Sequence, residues 1–207
     1  MLERIPVPMG TDPIPRAVRR FVADADERIE NFIRARLERP MTGFVPSDFI
    51  QVYRGLREIV RRDLAPGRMF CEWGSGFGVV AGLAAMLDFD VVAIEIEPEL
   101  ADASAALLAD HDLNVEVACG SFLPRGSEHA ADHVDGPEWL VTWAPDAYGD
   151  LELDVEDFDV VFAYPWPGEE GVLEDIFEAY AAVGSLFLTY RGLEEIHVQR
   201  KGGARRR

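Results

Sequence analysis

The sequence predicts a three-layer α/β protein built on a mostly parallel sheet, with a helical lead-in in front and a short, truncated C-terminal end. Three observations predict it. Short apolar runs alternate with helix-patterned segments from residue 69 to residue 190, as parallel strands joined by right-handed helical crossovers require. The run at 159–164 is continuously apolar, as a strand covered on both faces must be. Three glycines directly follow the first apolar run, where an open α/β sheet builds its ligand-binding turn.

The elements follow in order. Residues 15–39 place Val18, Phe21, Val22, Ile29, Phe32, Ile33 and Leu37 at helical spacing, and Pro40 ends the run. A turn at 43–48 offers Ser47 as N-cap of a second helix, with Phe49, Val52, Tyr53, Leu56, Ile59 and Val60 on one face. Pro66 and Gly67 break it. Met69–Trp73 reads as a buried strand, 78–88 as a helix and 91–96 as the second strand. Pro98 suits the first turn of a helix running to about residue 110. Val115–Cys119 is the third strand, 159–164 the fourth and 185–190 the fifth, with a helix at 171–183 before the last. The stretch 124–157 is irregular and acidic, with a short strand expected at 139–143. Glu195–Lys201 suits one further strand. The chain thus divides into a lead-in (1–66), an α/β domain (67–200) and a basic tail (201–207).

Composition narrows the class. At 207 residues, 48% apolar and 28% charged, the chain is long enough for one well-buried core and too apolar for disorder. No apolar run approaches the ~18–20 residues that cross a bilayer, and the N-terminus does not have the charged-then-apolar pattern of an export signal. Cys71 and Cys119 are too few for a disulfide framework and fall in strand-like runs, so both are expected as buried free thiols in a cytoplasmic protein.

Charge is unevenly distributed. Residues 1–68 carry 13 Arg against 10 acids, a net of +3. Residues 69–190 carry only Arg125 against 26 acids, a net of −25. Residues 191–207 return to +4, and the whole chain is at −18. Such a middle repels phosphates, which argues against a nucleic-acid partner, and the Arg-rich tail reads as a solvated end.

The glycine turn carries the chemistry. Met69-Phe70-Cys71-Glu72-Trp73-Gly74-Ser75-Gly76-Phe77-Gly78 puts bare backbone at a strand tip and at the start of a helix. A phosphate-binding loop would end in Gly-Lys-Ser/Thr, and no lysine is present here. A dinucleotide turn wants glycine where Val79 stands, although Glu95, 21 positions beyond Gly74, fits a ribose contact. An S-adenosylmethionine turn has the pattern acid-x-G-x-G-x-G with Glu72 as the acid, which suits an ammonium and a sulfonium and would repel a pyrophosphate. A tight turn without a ligand is the fourth reading. In the second strand, Glu95 can accept from both ribose hydroxyls at once, while Glu97 and Glu99 are expected to face water at the next helix N-terminus.

On these residues the chain resembles the class I S-adenosylmethionine-dependent methyltransferases over about residues 66–190. The resemblance implies a Rossmann-like sheet and S-adenosyl-L-methionine as cofactor. It implies that Glu72 orients the methionine end, that Gly74, Ser75, Gly76 and Gly78 admit it, and that Glu95 with Ile96 holds the ribose. Cys119-Gly120-Ser121-Phe122 stands where the family has Gly-Asp and a hydrophobic residue, so Ser121 and Phe122 are implied at the adenine, with Ser121 replacing the acid. Tyr164-Pro165-Trp166-Pro167 resembles the Asn/Asp-Pro-Pro-aromatic tetrad of amine and amide N-methyltransferases, which implies Tyr164, Pro165 and Trp166 as the acceptor-side catalytic residues. Phe44-Val45-Pro46-Ser47-Asp48 is similar to a site-closing turn in small protein-lysine methyltransferases.

The resulting expectation is methyl transfer to an amine nitrogen of a protein lysine or a small amine, with no metal and no membrane partner. A nicotinamide-dependent oxidoreductase and a non-catalytic methyltransferase-like binding module are the rival readings. His129 and His133, with Asp132 and Asp135 near them, lack a third ligand pattern and read as a solvated acidic loop.

Overall fold

The computed structural model describes residues 1–36, 44–127, 144–191 and 195–203. Its centre is a seven-stranded sheet of order β1-β7-β6-β5-β2-β3-β4. The strands are β1 (Leu2–Arg4), β2 (Met69–Trp73), β3 (Asp90–Glu95), β4 (Val115–Cys119), β5 (Val160–Ala163), β6 (Leu186–Arg191) and β7 (Glu195–Lys201). β2 to β6 run parallel, and β7 is antiparallel to both β6 and β1.

Side chains alternate along each strand, and this alternation builds three layers. Phe70, Ala93, Val160, Phe162 and Leu188 face a core shared with α1 (Arg16–Ala35), α2 (Phe49–Arg61), α3 (Val79–Ala85) and α4 (Pro98–Asp110). Cys71, Trp73, Val92, Ile94, Val161 and Phe187 face a second core. That core is closed by α5 (Ala147–Leu151), a 3₁₀ turn (Val155–Asp157) and α6 (Glu170–Tyr180). The lead-in helices are part of the first core: Phe21, Val52, Leu56 and Ile59 are fully buried there.

Several expectations are corrected in detail. Asp48, not Ser47, caps α2: its Oδ1 accepts from the N–H groups of Ile50 and Gln51, both at 3.0 Å. α1 ends at Ala35 rather than near residue 39. α3 is shorter than 78–88, because the chain turns at Met86 and reaches Asp88 at φ 62°. Cys71 is buried, but Cys119 is exposed, because β4 is the open edge of the sheet. The C-terminal end supplies the single strand expected of it, and the sheet still reaches seven strands because the N-terminus adds β1, which the sequence reading missed. The strand expected at 139–143 and the histidines at 129 and 133 lie outside the described residues. Among the described residues, no helix is long and apolar enough to cross a membrane.

β2 has β3 on one side and β5 on the other. From β2 the chain winds outward through β3 and β4, then returns to begin β5 on the opposite flank. The C-terminal tip of β2 is therefore the switch point where an open α/β sheet leaves a crevice.

Candidate active site

A cavity of about 550 Å³ lies at that switch point. The tips of β2, β3 and β5 form its floor through Glu72, Glu95 and Ala163. The lead-in turn Phe44, Val45, Pro46 and Ser47 forms one wall, and the loop from Tyr164 to Pro167 forms another.

The turn after β2 forms because all three glycines take positive φ: 68° at Gly74, 54° at Gly76 and 65° at Gly78. Each serves a different neighbour. A Cβ on Gly74 would meet nothing within 4 Å, so its backbone lies bare at the cavity. A Cβ on Gly76 would come within 2.6 Å of the Phe44 ring, which packs over the turn. A Cβ on Gly78 would come within 2.1 Å of Ser104 Oγ on α4.

Two buried acids bracket this turn. Glu72 is 4% exposed, and its Oε2 accepts from Ala81 N–H at 2.7 Å. Ala81 is the third residue of α3, whose N-cap, Gly78, has no side chain to cap with. Glu72 therefore satisfies one of the orphan donors at the start of α3. Burial pushes its carboxyl well above the usual carboxylate range; the Ala81 bond opposes this and the nearby Glu95 charge adds to it. Glu95 is 5% exposed, and its oxygens accept from Gly76 N–H at 2.6 Å and Glu97 N–H at 2.9 Å. Burial raises it too, against three backbone N–H groups that favour its charged form.

Of the residues implied by sequence, Glu72, Gly74, Ser75, Gly76, Glu95, Ile96, Phe122, Tyr164, Pro165 and Trp166 line the cavity. Gly78 and Ser121 stand outside the lining. Gly78 is pressed against α4. Ser121 is 7% exposed; its N–H donates to Pro145 O at 2.7 Å and its Oγ accepts from Leu123 N–H at 3.2 Å. It holds β4's exit to the segment before α5.

The sequence reading missed other lining groups. Trp73 stacks on Phe122 with centroids 5.2 Å apart and planes 9° apart. Glu97, the residue before α4, is exposed as expected and also borders the cavity. Glu99 stays exposed and pairs with Arg36. Glu169, Leu173 and Arg191 line the cavity beside the loop from Tyr164 to Pro167. Nothing in their local pattern marks them, because they reach the cavity only through the packing of α6 against β5 and β6. Tyr164 is steadied by an edge-to-face contact with Tyr190, centroids 5.0 Å apart. Among the described residues no group of three His, Cys, Asp or Glu could hold a metal ion.

A doubly wound sheet with an acid-bracketed glycine turn at its switch point is the architecture in which open α/β sheets place a ligand crevice. The sequence matches no protein-family model, and no curated protein matches it. Solved structures do match in fold. One is an RNA methyltransferase from Salinibacter ruber in complex with S-adenosyl-L-homocysteine, at 21% identity and TM-score 0.51, covering 75% of this chain and 92% of that one. Another is an O-methyltransferase from Bacillus cereus in complex with SAH, at 15% identity and TM-score 0.51, covering 86% of this chain and 67% of that one. The chain has the fold of the class I S-adenosylmethionine-dependent methyltransferases.

Proposed function

We propose that the protein transfers a methyl group from S-adenosylmethionine to an amine nitrogen, borne by a protein lysine or a small amine. The observation that carries this reading is the convergence of two buried carboxylates, Glu72 and Glu95, on one cavity around a bare glycine turn. A buried anion with no cation beside it favours a ligand that brings one.

The residues present fit the cofactor. A cavity of about 550 Å³ is in the range that encloses a ligand of its size. Glu72 faces the methionine ammonium, and the backbone of Gly74, Ser75 and Gly76 bounds that end. Glu95 retains lone pairs for the ribose hydroxyls beyond its two backbone bonds. Ile96 and the stacked Trp73–Phe122 pair border the adenine. Gly78 and Ser121 support the site from behind, one setting the start of α3 and the other anchoring the residue before Phe122. S-adenosylmethionine supplies an electrophilic methyl on a sulfonium. The protein's part is therefore to align the acceptor and exclude water, with Tyr164, Pro165 and Trp166 aiming it.

The structural neighbours named above are RNA and O-methyltransferases. The amine reading rests on this chain's own electrostatics. Among the described residues, the cavity is lined by five carboxylates (Glu72, Glu95, Glu97, Glu169 and Glu170) and one guanidinium, Arg191, which is paired with Glu174 at 2.5 Å. A cationic acceptor is steered into such a field, and a polyphosphate is repelled.

The test is ligand-dependent melting. S-adenosylhomocysteine at ~100 times its Kd adds about 2.7 kcal/mol, which for a chain of this length is a rise of roughly 5–10 °C. NAD should give none. Labelled-methyl transfer into amine-bearing fractions of a cell extract then tests the acceptor. No shift with millimolar S-adenosylhomocysteine overturns the cofactor reading; label in RNA or in base-stable oxygen ethers overturns the amine.

A further inference from the structure

Of the lining carboxylates with no part in cofactor binding as proposed above, Glu97, Glu169 and Glu170, Glu169 is the buried one. Glu169 is the residue before α6 and is 5% exposed. Its Oε2 accepts from Trp166 N–H at 3.1 Å, and Trp166 O in turn accepts from Glu169 N–H at 3.0 Å. These two bonds lock the carboxylate onto the loop that carries Tyr164 and Pro165. Its other oxygen, Oε1, is buried and has no hydrogen-bond partner. Arg191, the guanidinium that lines the cavity among the described residues, pairs with Glu174 through Nη2 and does not bond Glu169; its Nε is buried without a partner. Glu170, its sequence neighbour, accepts from Gly168 N–H at 2.8 Å and only adds negative charge.

A glutamate oxygen held at a cavity wall with nothing to accept from is costly, and an apolar side chain would fill the same space without that cost. A donor carried by a molecule that enters the cavity would satisfy it. We propose that Glu169 is the acceptor-side base of the methyl transfer: it binds the acceptor as an ammonium and takes its proton.

This rests on the methyltransferase reading and extends it to the acceptor. A protonated amine has no lone pair and cannot attack. One N–H proton passes to Glu169 Oε1, and the freed lone pair bonds to the methyl carbon. The carbon–sulfur bond breaks with its electron pair left on sulfur as a thioether, and the positive charge moves from sulfur to the methylated nitrogen. Glu169 then loses its proton to solvent, so one proton is released per turnover. Burial raises the Glu169 carboxyl, with the Trp166 N–H opposing and Glu170 adding, which moves a carboxylate toward the range useful for accepting a proton near neutral pH. The faces of Tyr164 and Trp166 suit the same cation.

The experiment compares two cofactor analogues on the intact chain. Sinefungin carries a C–NH₃⁺ where the cofactor has S⁺–CH₃, so its ammonium projects toward the acceptor; S-adenosylhomocysteine carries nothing there. In the wild-type protein sinefungin should bind more tightly than S-adenosylhomocysteine by about 10-fold, the worth of one charge-assisted hydrogen bond. Glu169→Gln, which keeps an oxygen for Trp166 N–H, should erase that ratio and leave S-adenosylhomocysteine within about 2-fold. Glu169→Asp, which keeps the charge but shortens the reach, should fall between them. An unchanged ratio in both variants, with normal S-adenosylhomocysteine binding, overturns the role of Glu169 alone. Failure of the wild-type protein to bind either analogue overturns the cofactor reading and this one with it.

Discussion

Glu95 Oε2 accepts from Gly76 N–H at 2.6 Å, so the acid at the tip of β3 clasps the turn that leaves β2. Its second oxygen accepts from Glu97 N–H at 2.9 Å and fixes the entry to α4. One side chain therefore sets both loops that border this part of the cavity.

Glu95→Ala should strand two backbone donors and remove the ribose acceptor. The expected loss is about 2–4 kcal/mol in denaturant unfolding, with S-adenosylhomocysteine bound at least ~10-fold more weakly by calorimetry. Glu95→Gln keeps one acceptor and should lose less of both. Unaltered affinity in the Ala variant would remove Glu95 from the ribose.

Glu72 makes stability depend on pH. Its folded carboxyl holds a proton to higher pH than the unfolded one, because burial penalises its charge. As pH rises past the ordinary carboxylate range near 4.5, the unfolded chain ionises first and gains. The ligand-free protein should therefore lose stability as pH climbs above about 4.5, by at most about 1.4 kcal/mol per pH unit for this group. Glu95 shifts in the same direction and adds to the slope. Glu72→Gln should flatten the profile and stabilise the empty protein at pH 7, while weakening S-adenosylhomocysteine binding. Unfolding curves at several pH values read the first effect and calorimetry the second.

Cofactor binding should release protons. A cationic ligand end brought against Glu72 favours its charged form and opposes the burial that raises its carboxyl, so binding shifts Glu72 toward proton loss. Titrations in buffers of different ionisation enthalpy should report net proton release, and affinity should rise with pH over the same window. Proton uptake would contradict the pairing of Glu72 with the ammonium.

Gly78→Ala should be destabilising by about 2–5 kcal/mol. Of this, ~1–2 kcal/mol is the left-handed backbone and the rest is overlap with Ser104 Oγ. Adding Ser104→Ala removes the overlapping oxygen and should recover only the second part. Full recovery would mean that φ at Gly78 costs nothing.

Deleting residues 1–4 should lower the melting temperature by about 3–8 °C while leaving S-adenosylhomocysteine affinity unchanged. β1 pairs β7 in the register Leu2↔Lys201, Glu3↔Arg200 and Arg4↔Gln199, and the Met1 amine meets Glu178 at 2.6 Å. Yet β7 stands between it and β6, the nearest strand to reach the cavity, and β7, β6 and β5 stand between it and β2. A matching loss of affinity would mean that the far edge reaches the site.

The parallel sheet and the switch-point turn were legible in the chain because both depend on local pattern. The short apolar run within 159–164 suits a strand covered on both faces, and glycine at 74, 76 and 78 allows the positive φ that the turn adopts. The acids Glu72 and Glu95 were legible for a similar reason: each stands one or no residues from a strand end, and the sheet delivers both tips to one edge.

β1 was not legible. Three residues, Leu2, Glu3 and Arg4, carry no periodicity, and they become a strand only because β7 presents an open edge. Cys119 was misjudged because Val115–Cys119 looks like an inner strand, and which strand ends the sheet is settled by strand order alone.

What the sequence by itself determined is the order of strands and helices, the glycine turn and the acids that flank it, since these follow from side-chain alternation, backbone freedom and spacing. What only the tertiary structure decided is which of those groups share the cavity. Gly78 and Ser121 sit one to a few residues from lining groups yet spend their contacts on α4 and on Pro145 and Leu123, while Glu169 and Arg191 reach the cavity from α6 and β6. Contacts between elements far apart in the chain are set by packing of the two cores against the sheet, and no local pattern encodes them.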